Sequence, residues 1–386
     1  MSLTRTVPGF VASGVACGVK ESGAPDLALV ATVDGRPVPA AAVFTANLAP
    51  AAPVQVTRAH LEATGGYASA VIVNSGNANA ATGRTGREHA ERMCALVAEG
   101  LGCSPEDVLV CSTGLIGIPL PIGAVESGTG PLLAARSAGG FRDAAVAMMT
   151  TDISAKDVLH PGDGFVVGGI AKGAAMLAPN MATMLALLST DAEATPAELH
   201  HALTAAVAES FNALSVDGAT STNDTVIALA SGAAGRRAGL DGAMAEVCAE
   251  LATMMADGAE GATKRARIHV TGAVSADDAR RAARKIAESQ LVQCSLYGAD
   301  PYWGRIVSEL GSSGAAVDPD RVSISYGGVE VCRGGVACEH DGASLLATMA
   351  ERNIELNADL GLGDGRAVVT TTDLTPEYIA ENMRTS

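Results

Sequence analysis

Apolar runs of only three to five residues, each bordered by a small polar cluster, constrain this chain most. Val71-Ile72-Val73 runs into Asn74-Ser75-Gly76-Asn77-Ala78-Asn79-Ala80, and Val108-Leu109-Val110-Cys111 runs into Ser112-Thr113-Gly114. Met184 to Leu188 forms a third run, directly behind Thr183. Short continuous apolar runs bounded by turn residues read as strands buried on both faces. Between them lie Ala-rich stretches with helical periodicity, from Arg87 to Leu101 and from Ala243 to Ala256. Thr195-Pro196-Ala197-Glu198 joins an N-cap hydroxyl, a first-turn proline and an acid three residues on, so it predicts a helix start. Both element types alternate along the whole chain, which calls for an α/β architecture rather than a bundle.

With 386 residues, 48% of them apolar, the chain is long enough for two cores. The boundary is expected around Val270 to Ser275, dividing a larger core of residues 1–269 from a smaller α/β domain of residues 277–386. The smaller part is expected to hold a helix from Asp278 to Gln290, capped from Ser275. Strands at Val322 to Tyr326 and Val368 to Thr371 follow, then a last short helix opened by Thr375-Pro376.

A formal charge of -16 argues against nucleic acid or an anionic membrane as the main partner, because either needs a basic face. A small-molecule substrate fits that balance. The first ten residues lack the basic-then-apolar pattern of a signal peptide, and no apolar run reaches spanning length, so a cytoplasmic location is expected. The eight cysteines show no paired spacing and no histidine at ligand distance, so reduced thiols and no metal are expected. Cys332 and Cys338 could approach across a turn, but a cytoplasmic chain keeps such thiols reduced.

Thr183 follows Ala182 and opens an apolar run. A threonine there is either strand filler or a nucleophile that attacks the carbonyl of Ala182, cuts the chain and then works with its own freed α-amine as base. The reference pKa of an α-amine, roughly 7.7 to 8, makes it a usable base near neutrality. Attack on an amide develops an oxyanion. Thr113 and Gly114 after their strand could stabilise it, a hydroxyl beside a closely approaching N–H. Lys172 could pair with a carboxylate, and Glu260, in the glycine-rich Asp257 to Lys264 loop, could receive an ammonium. Together the two suit a substrate of both signs, such as an amino acid. The polar stretches Asn74 to Asn79 and Asp217 to Thr225 serve either as turns or as support around a site.

In ordered matches over essentially its whole length, the chain resembles the glutamate N-acetyltransferase (ornithine acetyltransferase) family of arginine biosynthesis. The matching stretches include Asn74 to Ala80, Ser112 to Gly117, Thr150-Thr151-Asp152, Gly168 to Gly173, Ala178 to Leu185, Val216-Asp217-Gly218, Ser221 to Thr225, Glu260 to Lys264 and Trp303 to Ile306. The resemblance implies a layered αββα-type core with mixed sheets and a smaller C-terminal α/β domain whose tail returns to the site. It implies self-cleavage between Ala182 and Thr183, and fragments that stay together as two copies of each. It also implies ping-pong transfer of acetyl from N2-acetylornithine to glutamate through acetyl-Thr183. Thr113 and Gly114 match the oxyanion positions; Thr150, Lys172, Thr183, Glu260, Asn382 and Ser386 match substrate-binding ones. No cofactor is implied, although some members accept acetyl-CoA as donor. The tail after Asn382 departs from the family pattern: it is short and lacks the usual aromatic. A self-processing amidase or aminopeptidase, a paralogue acting on another amine donor in specialised metabolism, and a non-catalytic binding paralogue remain as alternatives.

Overall fold

The computed structural model describes residues 6–175 and 184–383. The strands are β1 (Phe10–Val15), β2 (Leu27–Thr32), β3 (Val38–Phe44), β4 (Tyr67–Ala68), β5 (Ala70–Asn77), β6 (Val108–Leu115), β7 (Lys156–Pro161), β8 (Val166–Lys172), β9 (Leu185–Glu193), β10 (Thr225–Arg236), β11 (Arg265–Ala273), β12 (Ser323–Tyr326), β13 (Val329–Arg333), β14 (Val336–Ala337), β15 (Asn353–Asp359) and β16 (Gly365–Thr372). The helices are α1 (Ala52–Ala63), α2 (Gly83–Leu101), α3 (Ile122–Ala134), α4 (Phe141–Met148), α5 (Pro196–Glu209), α6 (Leu240–Asp257), α7 (Ala276–Ala287), α8 (Gln290–Tyr297), α9 (Gly304–Gly311), α10 (Gly342–Ala350) and α11 (Pro376–Asn382).

Strand periodicity builds the first two layers. In β2, Leu27, Leu29 and Ala31 pack with Met93, Cys94 and Val97 of α2 and with Leu132 of α3. The alternate residues Ala28 and Val30 pack instead against Ile170, Leu185, Leu187 and Ile227 of a second sheet. That sheet turns Ala186, Leu188, Val226 and Ala228 outward onto Leu203 of α5 and Val247 and Leu251 of α6. The order of layers is therefore helix, sheet, sheet, helix, the αββα core expected. Each fully buried Leu or Ile contributes about 1.5 to 3 kcal/mol, and the central strands are covered on both faces.

The first sheet runs β1-β2-β5-β6 and the second β4-β3-β10-β9-β8-β7. Both are mixed: β5 and β6 are parallel, as are β9 and β10, while β8 and β9 are antiparallel. Helix α5 starts with the foreseen reciprocal cap, in which Glu198 N–H donates to the Thr195 hydroxyl at 3.3 Å and Thr195 N–H to Glu198 Oε2 at 2.9 Å.

The third sheet runs β14-β13-β12-β15-β11-β16 and packs one face on α7 to α10. Its strand β11 pairs with β15 and β16, so residues 265–269, read from sequence as the end of the larger core, lie in the C-terminal sheet. Alternation explains this: Ala266, Ile268 and Val270 are buried with the C-terminal helices, whereas Arg267 is exposed. The expected helix from Asp278 to Gln290 is two helices. It stops at Ala287, and Ser289 caps α8 by accepting from Val292 N–H at 3.4 Å. All eight cysteines are free, and no helix among the described residues is long and apolar enough to cross a membrane.

Candidate active site

Strand ends from both central sheets meet at one place. Lys172, the last residue of β8, lies opposite Leu185, the first of β9, and Thr225, the first of β10, is registered with the same Leu185 from the other side. Residues 173–184 therefore form the link between two adjacent strands. Ala182 and Thr183, the expected cleavage pair, lie outside the described residues, as does Ser386. Met184 is held on both backbone groups: its N–H donates to Asp224 Oδ1 at 3.0 Å, and its carbonyl accepts from Thr225 N–H at 3.3 Å.

Thr113 and Gly114 come from the end of β6. Gly114 has φ of 131°, and a Cβ there would stand 2.3 Å from the carbonyl carbon of Gly76, so only glycine fits this crossing of β5 and β6. The Thr113 hydroxyl is buried and finds no hydrogen-bond partner among the described residues. A buried unpaired hydroxyl costs about 1 to 3 kcal/mol, and such groups are retained mainly where a site needs them. Asn223 joins the two sheets here, its Nδ2 donating to the carbonyls of Ala78 at 2.6 Å and Ser112 at 2.9 Å. The loop that carries it is tied down by Thr45, whose hydroxyl donates to the Ser221 carbonyl at 2.7 Å and whose N–H donates to the Asp224 carbonyl at 2.9 Å.

Charge enters from the other side. Asp152 and Lys156 form a buried ion pair; the same Asp152 Oδ1 accepts from Gly173 N–H at 2.8 Å, and Oδ2 from Thr150 N–H at 3.1 Å. Burial acts to raise the Asp152 pKa, but the ammonium groups of Lys172 and Lys156 together with the hydrogen bonds from Gly173 N–H and Lys156 hold the carboxyl below its ordinary value. Lys172 is itself 3% exposed. Burial pulls its ammonium below the usual lysine value, against the attraction of Asp152, and the neighbouring Lys156 adds to the lowering. Lys20, brought in by the loop folded around Asp26, is likewise lowered by burial and senses both Lys172 and Asp152. Past Gly173 the chain reaches Ala174, whose carbonyl accepts from Glu260 N–H at 2.9 Å. Asn382 of α11 then donates its Nδ2 to Glu260 Oε2 at 3.0 Å.

Thr150, Lys172, Glu260 and Asn382, far apart in sequence, are thus linked through Asp152, Gly173 and Ala174, while Thr113 and Gly114 are linked through Ser112 and Asn223 to Asp224 and Met184. Asp152, Lys156, Lys20 and Asp224 carry charges whose roles the sequence reading left unassigned. The spacing of Asp152 and Lys156 could have signalled a pair, although the segment is not helical. A cavity of about 700 Å³ lies elsewhere, lined by α6 and by Arg265, Arg267 and Arg366 of the third sheet.

Fold and site together define a layered αββα protein with a polar, charged site at one end of its two central sheets. A family model described as the ArgJ family matches residues 11–385. The chain belongs to the ArgJ family. The arginine biosynthesis bifunctional protein ArgJ of Mycobacterium tuberculosis is 46% identical over 385 residues, covering 97% of this chain and 94% of the relative. The protein of that name from Thermobifida fusca is 43% identical over 385 residues and covers 99% of each. Among solved structures, an ornithine acetyltransferase from Mycobacterium tuberculosis, complexed with ornithine, is 42% identical. It covers 46% of this chain and 95% of its own at a TM-score of 0.43.

Proposed function

We propose that the chain is a self-processing acetyltransferase that moves acetyl from N2-acetyl-L-ornithine to L-glutamate through an acetyl-Thr183 intermediate. The reading rests on membership of a family whose relatives are named for arginine biosynthesis. One observation carries it: Lys172 ends β8 opposite Leu185, the first residue of β9, and the chain that leaves it is tied at Ala174 to Glu260, a charge of opposite sign, while the buried Thr113 hydroxyl finds no partner among the described residues.

In processing, Thr183 Oγ attacks the Ala182 carbonyl, the peptide C–N bond breaks, and its nitrogen takes the hydroxyl proton to leave an ester. Water hydrolyses the ester, giving an Ala182 carboxylate and a free Thr183 amine. In transfer, that amine takes the Oγ proton while Oγ attacks the acetyl carbon, and the Thr113 hydroxyl with the Gly114 N–H donates to the oxyanion. The proton passes to the departing ornithine nitrogen. Glutamate then attacks the acetyl ester, its amine losing a proton as Oγ regains one. Lys172 pairs with the substrate carboxylate and Glu260, steadied by Asn382, receives an ammonium, with Ser386 a further substrate-binding residue. Thr150 lies on the same wall. No cofactor is needed; acetyl-CoA could stand in as donor. The two fragments act in the cytoplasm as two copies of each.

Denaturing gels and amino-terminal sequencing test the first step: two fragments are expected, the second beginning at Thr183, and Thr183→Ala should give one uncut, inactive chain. Incubation with acetylornithine, with and without glutamate, tests the second. Acetate release in the absence of glutamate would replace the acetyltransferase with a hydrolase, and retained transfer by Thr183→Ala would end the assignment.

A further inference from the structure

Strand β11 has two unlike faces. Ala266, Ile268 and Val270 pack on the C-terminal helices, while the alternate residues Arg265, Arg267 and His269 turn toward α6 of the larger core. A polar sheet face is ordinarily open to water. Here Ala249, Ala252 and Thr253 of α6 and Leu214 beyond α5 stand over it and leave the cavity of about 700 Å³. The two cores are tied along the β16 edge, where Ser215 N–H donates to the Thr370 carbonyl at 2.8 Å, and at the end of α6, where Arg265 pairs with Asp257 at 3.0 Å. A space of that size suits a small metabolite.

Charge is the second observation. The chain carries 42 acidic side chains against 26 of lysine and arginine, yet three guanidiniums and an imidazole line this one space, those of Arg265, Arg267, Arg366 and His269. Among the lining residues Glu209 is the one carboxylate. Two further carboxylates reach the wall from behind: Asp257 holds Arg265, and Glu355 of β15 holds His269 and, at 3.6 Å, Arg267. A guanidinium has five donors, so one carboxylate leaves most of them unspent. Arg366 makes no ion pair or hydrogen bond among the described residues, although Asp359 and Asp364 line the adjoining cleft. Alternate residues of a strand stand about 7 Å apart, so these groups form a file rather than a point.

We propose that this cavity binds a small organic anion with two or more negative charges spaced along its length, its oxygens on the guanidiniums of Arg267 and Arg366 and its carbon body on Ala249, Ala252 and Leu214. Forked guanidinium donors match carboxylate and phosphate oxygens alike, so the ligand is a tricarboxylate or a nucleotide polyphosphate. A bare inorganic anion leaves the apolar wall uncovered, and a cationic metabolite meets repulsion from the same file of charges. Because the lining comes from α6 and from β11 and β16, the bound anion fastens the two cores across their seam. None of these residues belongs to the site at the ends of the central sheets, so this inference stands or falls apart from the proposed function.

Titration calorimetry of the whole protein with citrate, with ATP and with sulfate at matched ionic strength is the test. Saturable one-to-one binding of citrate or ATP, at least about tenfold tighter than sulfate, is expected, and the tighter of the two identifies the source. Binding of both no tighter than sulfate overturns the site. Arg366→Glu removes no internal contact and should fold as wild type does, which a thermal melt checks; it should weaken binding by at least about tenfold. Thr253→Trp keeps every guanidinium and puts an indole into the space from α6, so it should weaken binding by a similar factor. Full-strength binding by Arg366→Glu places the anion elsewhere on the protein, and full-strength binding by Thr253→Trp places it outside the cavity; either result ends the assignment.

Discussion

The Asp152 carboxylate lies against the Lys156 ammonium with their side chains 0% and 2% exposed. Removing one partner from such a pair strands the other charge in a dry interior, at a cost of about 3 to 5 kcal/mol. Lys156→Met is therefore expected to destabilise the protein by about 3 kcal/mol, the lower end, because Lys172 and the Gly173 N–H still compensate Asp152. Urea unfolding measures it, and a loss within about 0.5 kcal/mol would mean the pair is not dry.

The two buried carboxylates oppose each other in their pH dependence. Asp152 is depressed in the folded state, so its contribution is present above the unfolded carboxylate value of about 3.9 and fades as pH falls through its lower folded value. Asp224 is raised, so its contribution is full below the unfolded value and fades as pH rises through the folded one. Acid unfolding below about pH 4 should be flatter in Asp152→Asn than in wild type, and the stability of wild type relative to Asp224→Asn should decline with rising pH. Chemical denaturation across the range checks both slopes; the reverse signs would contradict the burial described for these groups.

Gly114 and Gly117 separate crowding from mere conformation. Both have positive φ, 131° and 82°, but an added Cβ meets Gly76 backbone at 2.3 Å at the first and nothing within 4 Å at the second. Gly114→Ala should cut acetyl transfer at least about 100-fold in the folded fraction by displacing the oxyanion donor. Gly117→Ala should cost only about 1 to 2 kcal/mol of stability. Steady-state rates beside thermal melts distinguish the two effects.

Lys172→Met removes a buried positive charge while keeping much of the side chain's bulk. A charge pair with the substrate carboxylate is worth about 2 to 5 kcal/mol, so kcat/KM should drop by roughly 30-fold or more. An unaltered rate would remove Lys172 from the site.

Asn382 sits on an exposed helix, and its Nδ2 donates to Glu260 Oε2 and to the Tyr378 carbonyl, each at 3.0 Å. Asn382→Ala should raise the KM of the amine substrate by about fivefold, the worth of one hydrogen bond of about 1 kcal/mol, with kcat little changed. A titration of initial rates against substrate shows it.

Local signals in the sequence carried much of this fold. The short apolar runs at Val71 and Val108 are β5 and β6, the Thr195 capping box opens α5, and the ordered motif matches pointed to the layered core. Pairing was harder to read. Nothing in the run Arg265 to Ala273 says that its partners are β15 and β16, about 80 to 100 residues away, except the alternation of Ala266, Ile268 and Val270 with charged neighbours. The same limit hid half of the site. Lys172 and Glu260 were visible as lone charges, but Asp152, Lys156 and Asp224 acquire meaning only when β7, β8, β9 and β10 bring their ends together, and Lys20 only when the loop between β1 and β2 folds around Asp26.

Strands β9 and β10 are wedged between β3 and β8 in a single sheet, hydrogen-bonded to both. Scission ahead of residue 183 would put β3 and β8 on one polypeptide and the wedge on the other, so neither piece could depart without tearing two ladders. The nick must then come after the sheet has closed, since separate halves would each expose open edges. Once melted, the nicked protein would face a second-order renaturation, with recovery that falls on dilution, whereas an unbroken chain would regain its shape at any concentration.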